Sequence, residues 1–257
     1  PTQSGLLRSN FQTEHLGMTT DLYTLTNDNG MEVCFTNFGG RIVSILVPDR
    51  HGNMLDVCLG HDSIADYIRY GYQGCNFGAL IGRYGNRIKD GMFTLDGIAY
   101  QLPRNNDGNC LHGGGDIAFH NRMWQAQPIS NSSIAFTTIS PDGEDGFPGN
   151  LSVKVTYTLT KDNAISIAYE ATTDKPTVIN LTNHCYFCLS GDPSRDVMDE
   201  ILYLNAEAYT PVDGNVAVTG EVATVESTPF RFRIPTRIGE RINETTHQQI
   251  VNGRGYD

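Results

Sequence analysis

The stretch Ser152-Val-Lys-Val-Thr-Tyr-Thr-Leu-Thr160, followed by Lys161-Asp-Asn163 and then Ile165-Ser-Ile-Ala-Tyr-Glu170, decides the fold. Residues two apart on an extended chain share a face. Val153, Val155, Tyr157 and Leu159 therefore line one side, and Lys154, Thr156 and Thr158 the other. Beyond the turn, Ile165, Ile167 and Tyr169 alternate with Ser166, Ala168 and Glu170. A period of two on both sides of a polar turn predicts a β-hairpin with one buried face.

The same form repeats outward from this hairpin. Residues 92–95 and 98–102 flank Asp96-Gly97, a tight-turn signal. Residues 22–26 and 31–35 flank Asn27-Asp-Asn-Gly30, and residues 42–47 end at Pro48-Asp-Arg-His-Gly52. Helical periodicity is scarce, with short helices expected only over 63–70 and 237–242. No linker, low-complexity tract or fixed-period repeat interrupts the chain. The expectation is an all-β protein, a large antiparallel β-sandwich in one domain spanning residues 1–257. Three long glycine- and charge-rich loops, 83–90, 105–116 and 140–150, sit where such a scaffold carries function.

Composition narrows the partners. The 257 residues carry a formal net charge of −11, and 39% are apolar. Nucleic acid and anionic membranes both call for basic patches, so neither is expected. No long uncharged apolar run reads as a transmembrane helix, and no signal peptide is visible. The chain opens with Pro1 rather than Met, so a piece upstream is expected to have been removed, and the N-terminus gives no compartment. A small neutral molecule is the expected partner, with a monomer or weak dimer as the assembly.

Six cysteines, Cys34, Cys58, Cys75, Cys110, Cys185 and Cys188, are spaced irregularly and mostly sit beside apolar residues. Buried free thiols are the expectation. Cys185 and Cys188 have CxxC spacing, but no second such pair completes a zinc site, and positions three apart on a strand point to opposite faces. No metal and no cofactor is expected. The motifs of zinc proteases, EF-hands, P-loops, dinucleotide folds and serine hydrolases are all missing.

What remains is histidine, arginine and carboxylate. Of the seven histidines, His15, His51 and His247 have polar surroundings, while His61 and His120 give no clear signal. His184 lies in Asn180-Leu-Thr-Asn-His-Cys-Tyr-Phe-Cys-Leu-Ser-Gly191. If that segment is a buried strand, Asn180, Thr182, His184 and Tyr186 face a polar groove, and Ile179, Leu181, Phe187 and Leu189 mostly face the core. His112 lies in Asn109-Cys-Leu-His-Gly-Gly-Gly115, where glycines allow close backbone approach. A histidine in a groove suits acid–base work on an uncharged substrate. The plainer alternatives are a satisfied core histidine at 184 and a tight turn at 113–115.

Four segments together resemble the aldose 1-epimerase, or mutarotase, family: Gly82-Arg-Tyr-Gly-Asn-Arg-Ile88, Asn109-Cys-Leu-His-Gly-Gly114, Ser140-Pro-Asp-Gly-Glu-Asp-Gly-Phe-Pro-Gly149 and Asn180-Leu-Thr-Asn-His-Cys-Tyr-Phe187. Phe35-Thr-Asn-Phe-Gly-Gly-Arg41 and Tyr209-Thr-Pro-Val-Asp213 add to the match, in order, from about residue 20 to the end. The resemblance implies a galactose mutarotase-like supersandwich with an open sugar groove. It implies an isomerase that interconverts the α and β anomers of free hexoses such as galactose and glucose, without a cofactor. Carried over by motif, His184 is the general acid and His112 the second histidine, which contacts the sugar ring. Asn86 and Arg87 are the sugar-contacting pair, and Tyr186 follows the acid. Asp257, in Gly255-Tyr-Asp257, is the aspartate that binds sugar hydroxyls. A structural salt bridge is the plainer alternative for Arg87.

Two departures qualify the match. Cys185 and Cys188 replace the small polar and amide residues more usual in the His184 motif. The chain also stops at Asp257, where the family continues, and the family's last quarter is expected to be missing. That part carries the family's glutamate base, so no carboxylate here takes that role by motif, Glu144 and Asp145 included. Exposed sheet edges, an exposed apolar face and inactivity of the chain by itself are the expected consequences. The other readings are a sugar-binding protein without catalysis, and an epimerase of phosphorylated sugars using Arg83, Arg87 and Lys89. A cytoplasmic enzyme of sugar catabolism is the default, with a periplasmic one as the alternative.

Overall fold

A computed structural model describes every residue from Pro1 to Asp257. The first sheet is an antiparallel meander of β1 (Leu22–Thr26), β2 (Glu32–Thr36), β3 (Arg41–Pro48) and β4 (Met54–Asp56). Side-chain carbonyls close its turns. Asn27 Oδ1 accepts from the backbone N–H of Asn29 at 3.1 Å and of Met31 at 3.0 Å. Asp49 Oδ1 accepts from His51 at 2.7 Å and Asn53 at 2.9 Å, so both turns are shaped by an Asx residue at their start. The expected helix follows as α1 (Ile64–Gly71), where Ser63 Oγ accepts from the Asp66 N–H as an N-cap. The 237–242 segment is not an α-helix: a two-residue strand, Thr236–Arg237, runs into a single 3₁₀ turn, Ile238–Glu240.

Short elements come next: β5 (Leu80–Ile81), β6 (Arg87–Ile88), the hairpin of β7 (Met92–Leu95) and β8 (Ile98–Gln101) about Asp96-Gly97, and β9 (Cys110–Leu111), which pairs with β6. The second sheet is β10 (Gln125–Ser130), β11 (Ser133–Ser140), β12 (Leu151–Leu159) and β13 (Ile165–Thr173), again in sequence order. The β12–β13 hairpin pairs without a slip from Leu159↔Ile165 to Leu151↔Thr173. Along β12, Leu151, Val153, Val155, Tyr157 and Leu159 are buried and the residues between them are not.

The two sheets pack face to face. Leu25, Val33, Phe35, Ile42 and Ile45 from the first meet Ile134, Phe136 and the buried side of β12 from the second, with Trp124 closing one end. The Phe35 ring lies 4.8 Å from Tyr157 and 6.2 Å from Phe136, centre to centre. This is the expected antiparallel sandwich. A second cluster of Phe11, Phe38, Ile64, Tyr67 and Met123 backs the first sheet, with α1 as its cover. All six cysteines are free, four of them buried and Cys75 and Cys185 half-buried.

The 179–189 segment departs from the alternation expected of a buried strand. Only β14 (Thr182–Asn183) forms a ladder, pairing with β5, and of the apolar set only Leu181 packs on the core. Phe187 and Leu189 are 55% and 60% exposed, and Ile179 is exposed as well. His184 still bonds to Gly78 and Ala79 just before β5, but past it the backbone bridges instead to Cys58 through Phe187, so the twofold pattern is broken. Strand β13 is likewise paired on one edge only. No helix is long and apolar enough to cross a membrane.

Two features generate stability predictions. Gly78 has φ +63°, and a Cβ there would stand 1.8 Å from the Ile42 carbonyl oxygen. Gly78→Ala should therefore lower the unfolding free energy by about 3 kcal/mol or more, measured by urea denaturation; a change under 1 kcal/mol would contradict this packing. His120 is 6% exposed, its Nδ1 has no partner, and burial, then Arg41, pushes its imidazole down to about 3. The unfolded chain takes up this proton near pH 6.5 and the folded chain only near pH 3, so stability is lost as pH falls between them. His120→Asn should flatten the slope of unfolding free energy against pH by about 1.4 kcal/mol per unit near pH 5.

Candidate active site

The candidate site, where the sequence predicts a groove, is built on the extended segment 78–85. Its backbone is bonded along both edges. Leu80 N–H donates to Gly39 O at 2.9 Å, and Gly78 O accepts from Ile42 N–H at 2.9 Å on the first-sheet side. On the other side Ala79 O accepts from His184 N–H at 2.8 Å, Gly78 N–H donates to His184 O at 3.1 Å, and Arg83 O accepts from Asn180 N–H at 2.9 Å. His184 is thus held by both its backbone groups. Asn183 Nδ2 donates to Gly78 O and to Tyr157 OH, which ties the turn before His184 to the sandwich core.

His112 arrives from the other direction. The β6–β9 ladder places Leu111 opposite Arg87, and one step beyond it Asn86 and His112 exchange hydrogen bonds. His112 N–H donates to Asn86 O at 3.1 Å, and Asn86 N–H donates to the His112 ring Nδ1 at 3.0 Å. Asn86 and His112 have φ of +66° and +55°, which turns both side chains out of the ladder. The next residue, Gly113, admits no Cβ, which would meet Gly82 O at 2.0 Å.

The result is a pair of half-buried imidazoles edge to face, with ring centres 5.1 Å apart and planes at 88°. Tyr186 extends the row, its ring 5.0 Å from His184 and 5.1 Å from Phe77. The two histidines differ in state. His112 uses Nδ1 as an acceptor, which leaves the proton on Nε2. Burial, then His184 and Arg87, pushes it down to about 4. His112 is therefore a neutral hydrogen-bond donor at neutral pH. His184 is held below its ordinary value chiefly by burial, with the Arg41 guanidinium lowering it further. No carboxylate stands close enough to raise either ring.

Arg87 is fixed beside this pair. Its Nε donates to Asn106 Oδ1 at 2.9 Å and its Nη1 reaches Asn86 Oδ1 at 3.4 Å. Asp257 Oδ2 lies 3.8 Å from the same Nη1. Asn86 Oδ1 also accepts from the Arg87 N–H at 2.7 Å. Of the residues singled out in the sequence, His184, His112 and Tyr186 stand in one row of rings, and Asn86 joins His112 to Arg87 and Asp257.

Other basic and acidic residues of the motifs go elsewhere. Arg83 is buried, and its guanidinium donates to the carbonyls of Ser140, Pro141, Pro148 and Gly149 at 2.8–2.9 Å, which shapes the 140–150 loop. Lys89 pairs with Asp213 at 3.0 Å and Glu144 with Arg122 at 2.5 Å. Asp145 packs against Gly114 and is raised to about 6 by burial, then by Glu144. No three His, Cys, Asp or Glu side chains converge to hold a metal ion. A cleft of about 590 Å³ lies on the outer face of the second sheet, bordered by Met18, Thr137, Lys154 and Glu170, and contains no histidine.

Sequence reasoning missed two contributors. Arg41 is wholly buried without a carboxylate partner, donating instead to the carbonyls of Phe77 and His120, and is pushed down to about 10 by burial. His120 sits near enough to be influenced by both groove histidines. Arg41 belongs to a motif segment but had no role there, and nothing flanking His120 marks it.

Comparison with known proteins identifies the family. A model of the family described as aldose 1-epimerase matches residues 21–257. The chain is 39% identical to a galactose mutarotase of Rattus norvegicus over 94% of this chain and 67% of that one. It is 39% identical to an aldose 1-epimerase of Escherichia coli K12 over 92% and 66%. Among solved structures, a galactose 1-epimerase from Lactobacillus acidophilus superposes with a TM-score of 0.83 at 30% identity, covering 96% of this chain and 71% of that one. The chain spans about two thirds of the length of the curated relatives it matches. On these matches the chain belongs to the aldose 1-epimerase family.

Proposed function

We propose that the His112–His184 groove takes the pyranose form of a free aldohexose such as galactose or glucose, and that the protein is an aldose 1-epimerase. The observation that carries this reading is the edge-to-face imidazole pair, one ring fixed as a neutral donor and the other free to titrate. Mutarotation opens a hemiacetal. A base removes the C1 hydroxyl proton, the C1–O5 bond breaks, and an acid protonates the ring oxygen. Rotation about C1–C2 and reclosure give the other anomer, with both protons returned. His184 is the acid in this reading. His112 offers Nε2–H to the ring, and Asn86, Arg87, Tyr186 and Asp257 hold the hydroxyls.

Arg83 and Lys89 are already engaged, which leaves Arg87 as the one cation of that run near the groove. A phosphorylated sugar has no cluster to meet, and an uncharged sugar is favoured. The lack of a carboxylate beside either imidazole bears on the base, and it favours a second reading for the 257 residues by themselves: sugar binding without catalysis. Polarimetry with α-galactose separates the two. Catalysis predicts that His184→Gln slows anomer exchange by about 10²–10⁴-fold with galactose affinity changed less than tenfold. Binding without catalysis predicts that the unaltered chain binds galactose yet exchanges anomers no faster than buffer.

The protonation states can be checked without turnover. Nitrogen-15 spectra should show His112 as the Nε2–H tautomer, neutral until the pH falls to about 4. His184 should titrate below the ordinary histidine value of about 6.5. A protonated His112 at pH 6 would remove it as the groove's neutral donor.

A further inference from the structure

Three of the free thiols gather behind the His184 segment. Cys58 follows the last strand of the first sheet and bridges to Phe187. Leu59 N–H donates to Tyr186 O and Cys188 N–H to Val57 O, both at 2.9 Å, so the two backbones run side by side. Across them Cys58 Sγ and Cys185 Sγ are 3.7 Å apart. The CxxC spacing would pair Cys185 with Cys188, but Cys188 Sγ faces Ser190 Oγ and the Asp192 carbonyl instead, both at 3.3 Å. The partner of Cys185 lies 127 positions away.

We propose that Cys58 and Cys185 are a dithiol–disulfide pair, oxidised by a small disulfide of the glutathione class and reversed by thiols. A disulfide needs the sulfurs at about 2.05 Å, some 1.7 Å closer than they stand. A cleft of about 180 Å³ lined by Cys58, His61 and Cys188 borders the Cys58 side of this pair, and Cys185 itself is half-buried.

The order of attack follows from exposure. Cys185 is half-buried and Cys58 is buried. Cys185 loses its proton to solvent and its thiolate attacks one sulfur of the small disulfide, RSSR. One RS⁻ leaves, and Cys185 carries the mixed disulfide. The Cys58 thiol is held well above its ordinary value first by its hydrogen bond with the Cys185 sulfur and then by burial. Capping Cys185 removes the larger cause. Cys58 then loses its proton, attacks Cys185 Sγ and expels the second RS⁻. Two protein thiols are oxidised, and RSSR is reduced to two RSH.

Cys185 adjoins His184, whose two backbone bonds to Ala79 and Gly78 set the ring's position. The bond would draw that segment toward the end of the first sheet and reversibly weaken sugar handling. This consequence rests on the proposed function, whereas the cross-link itself does not.

The test treats the folded protein with excess oxidised glutathione, alkylates the remaining thiols, and measures intact mass and peptide maps. The expected result is a loss of about 2 Da before alkylation and one linked pair of peptides joined through Cys58 and Cys185, abolished by dithiothreitol. Cys188→Ser and Cys75→Ser should retain the link, and Cys58→Ser should trap glutathione on Cys185. A Cys185–Cys188 link, a stable glutathione adduct on wild-type Cys185, or six unreacted thiols would each overturn the proposal. Loss of the sugar response with the link intact would instead count against the groove assignment.

Discussion

The segment from Gly78 to Gly85 is the constraint on which both the fold and the groove depend. It bonds on one edge to the first sheet and on the other to the strand that carries His184. Ala79, Leu80 and Ile81 are buried, so the segment is also part of the core. Close backbone approach makes this arrangement possible, because Gly78 and Gly82 have no room for a Cβ beside Ile42 and Phe119. A rigid strand buried on both sides can fix a polar side chain at its edge more closely than a surface loop can. Arg83 extends the same constraint to the 140–150 loop by donating to four of its carbonyls.

Two residues of one chemical type acquire different properties on this scaffold. His112 is neutral chiefly because it is buried, and then because an additional charge beside His184 and Arg87 is unfavourable, and a main-chain N–H occupies its Nδ1. His184 has no such bond from Asn86 and is perturbed less. Arg41 contributes to the difference from inside the protein. It is a buried cation bonded to carbonyls alone, and its field lowers both His184 and His120. Setting one imidazole as donor and another as titrating group gives neighbouring side chains separate tasks.

The sandwich was legible because its strands obey one strong rule. Alternation along β12 and the turn residues at 27–30, 48–52 and 96–97 are local signals, and the ladders and burial follow them. The 179–189 segment was misread because alternation presumes one continuous strand, and this one changes partner after His184. His112 and His184 could be named only through the resemblance to a family. Their sequence gave glycines and polar neighbours, not the 5.1 Å between them. Loops 83–90 and 105–116 read as separate connections, and the β6–β9 ladder that joins them is non-local. The burial of Arg83 and the neighbour of Cys58 were hidden for the same reason.

The charge arrangement fits the neutral substrate proposed above. The net charge of −11 does not reach the groove histidines as nearby carboxylates, since the charges that shift them are cationic. Asp257 approaches the groove, but against Arg87. A sugar hydroxyl both donates and accepts, so it can bridge a fixed N–H donor and a carboxylate without bringing a charge of its own. In the proposed sugar complex, recognition then depends on the direction of each hydrogen bond. That direction is fixed by the Asn86–His112 exchange, which ties the ring nitrogen to the main chain and leaves Nε2–H facing away from it.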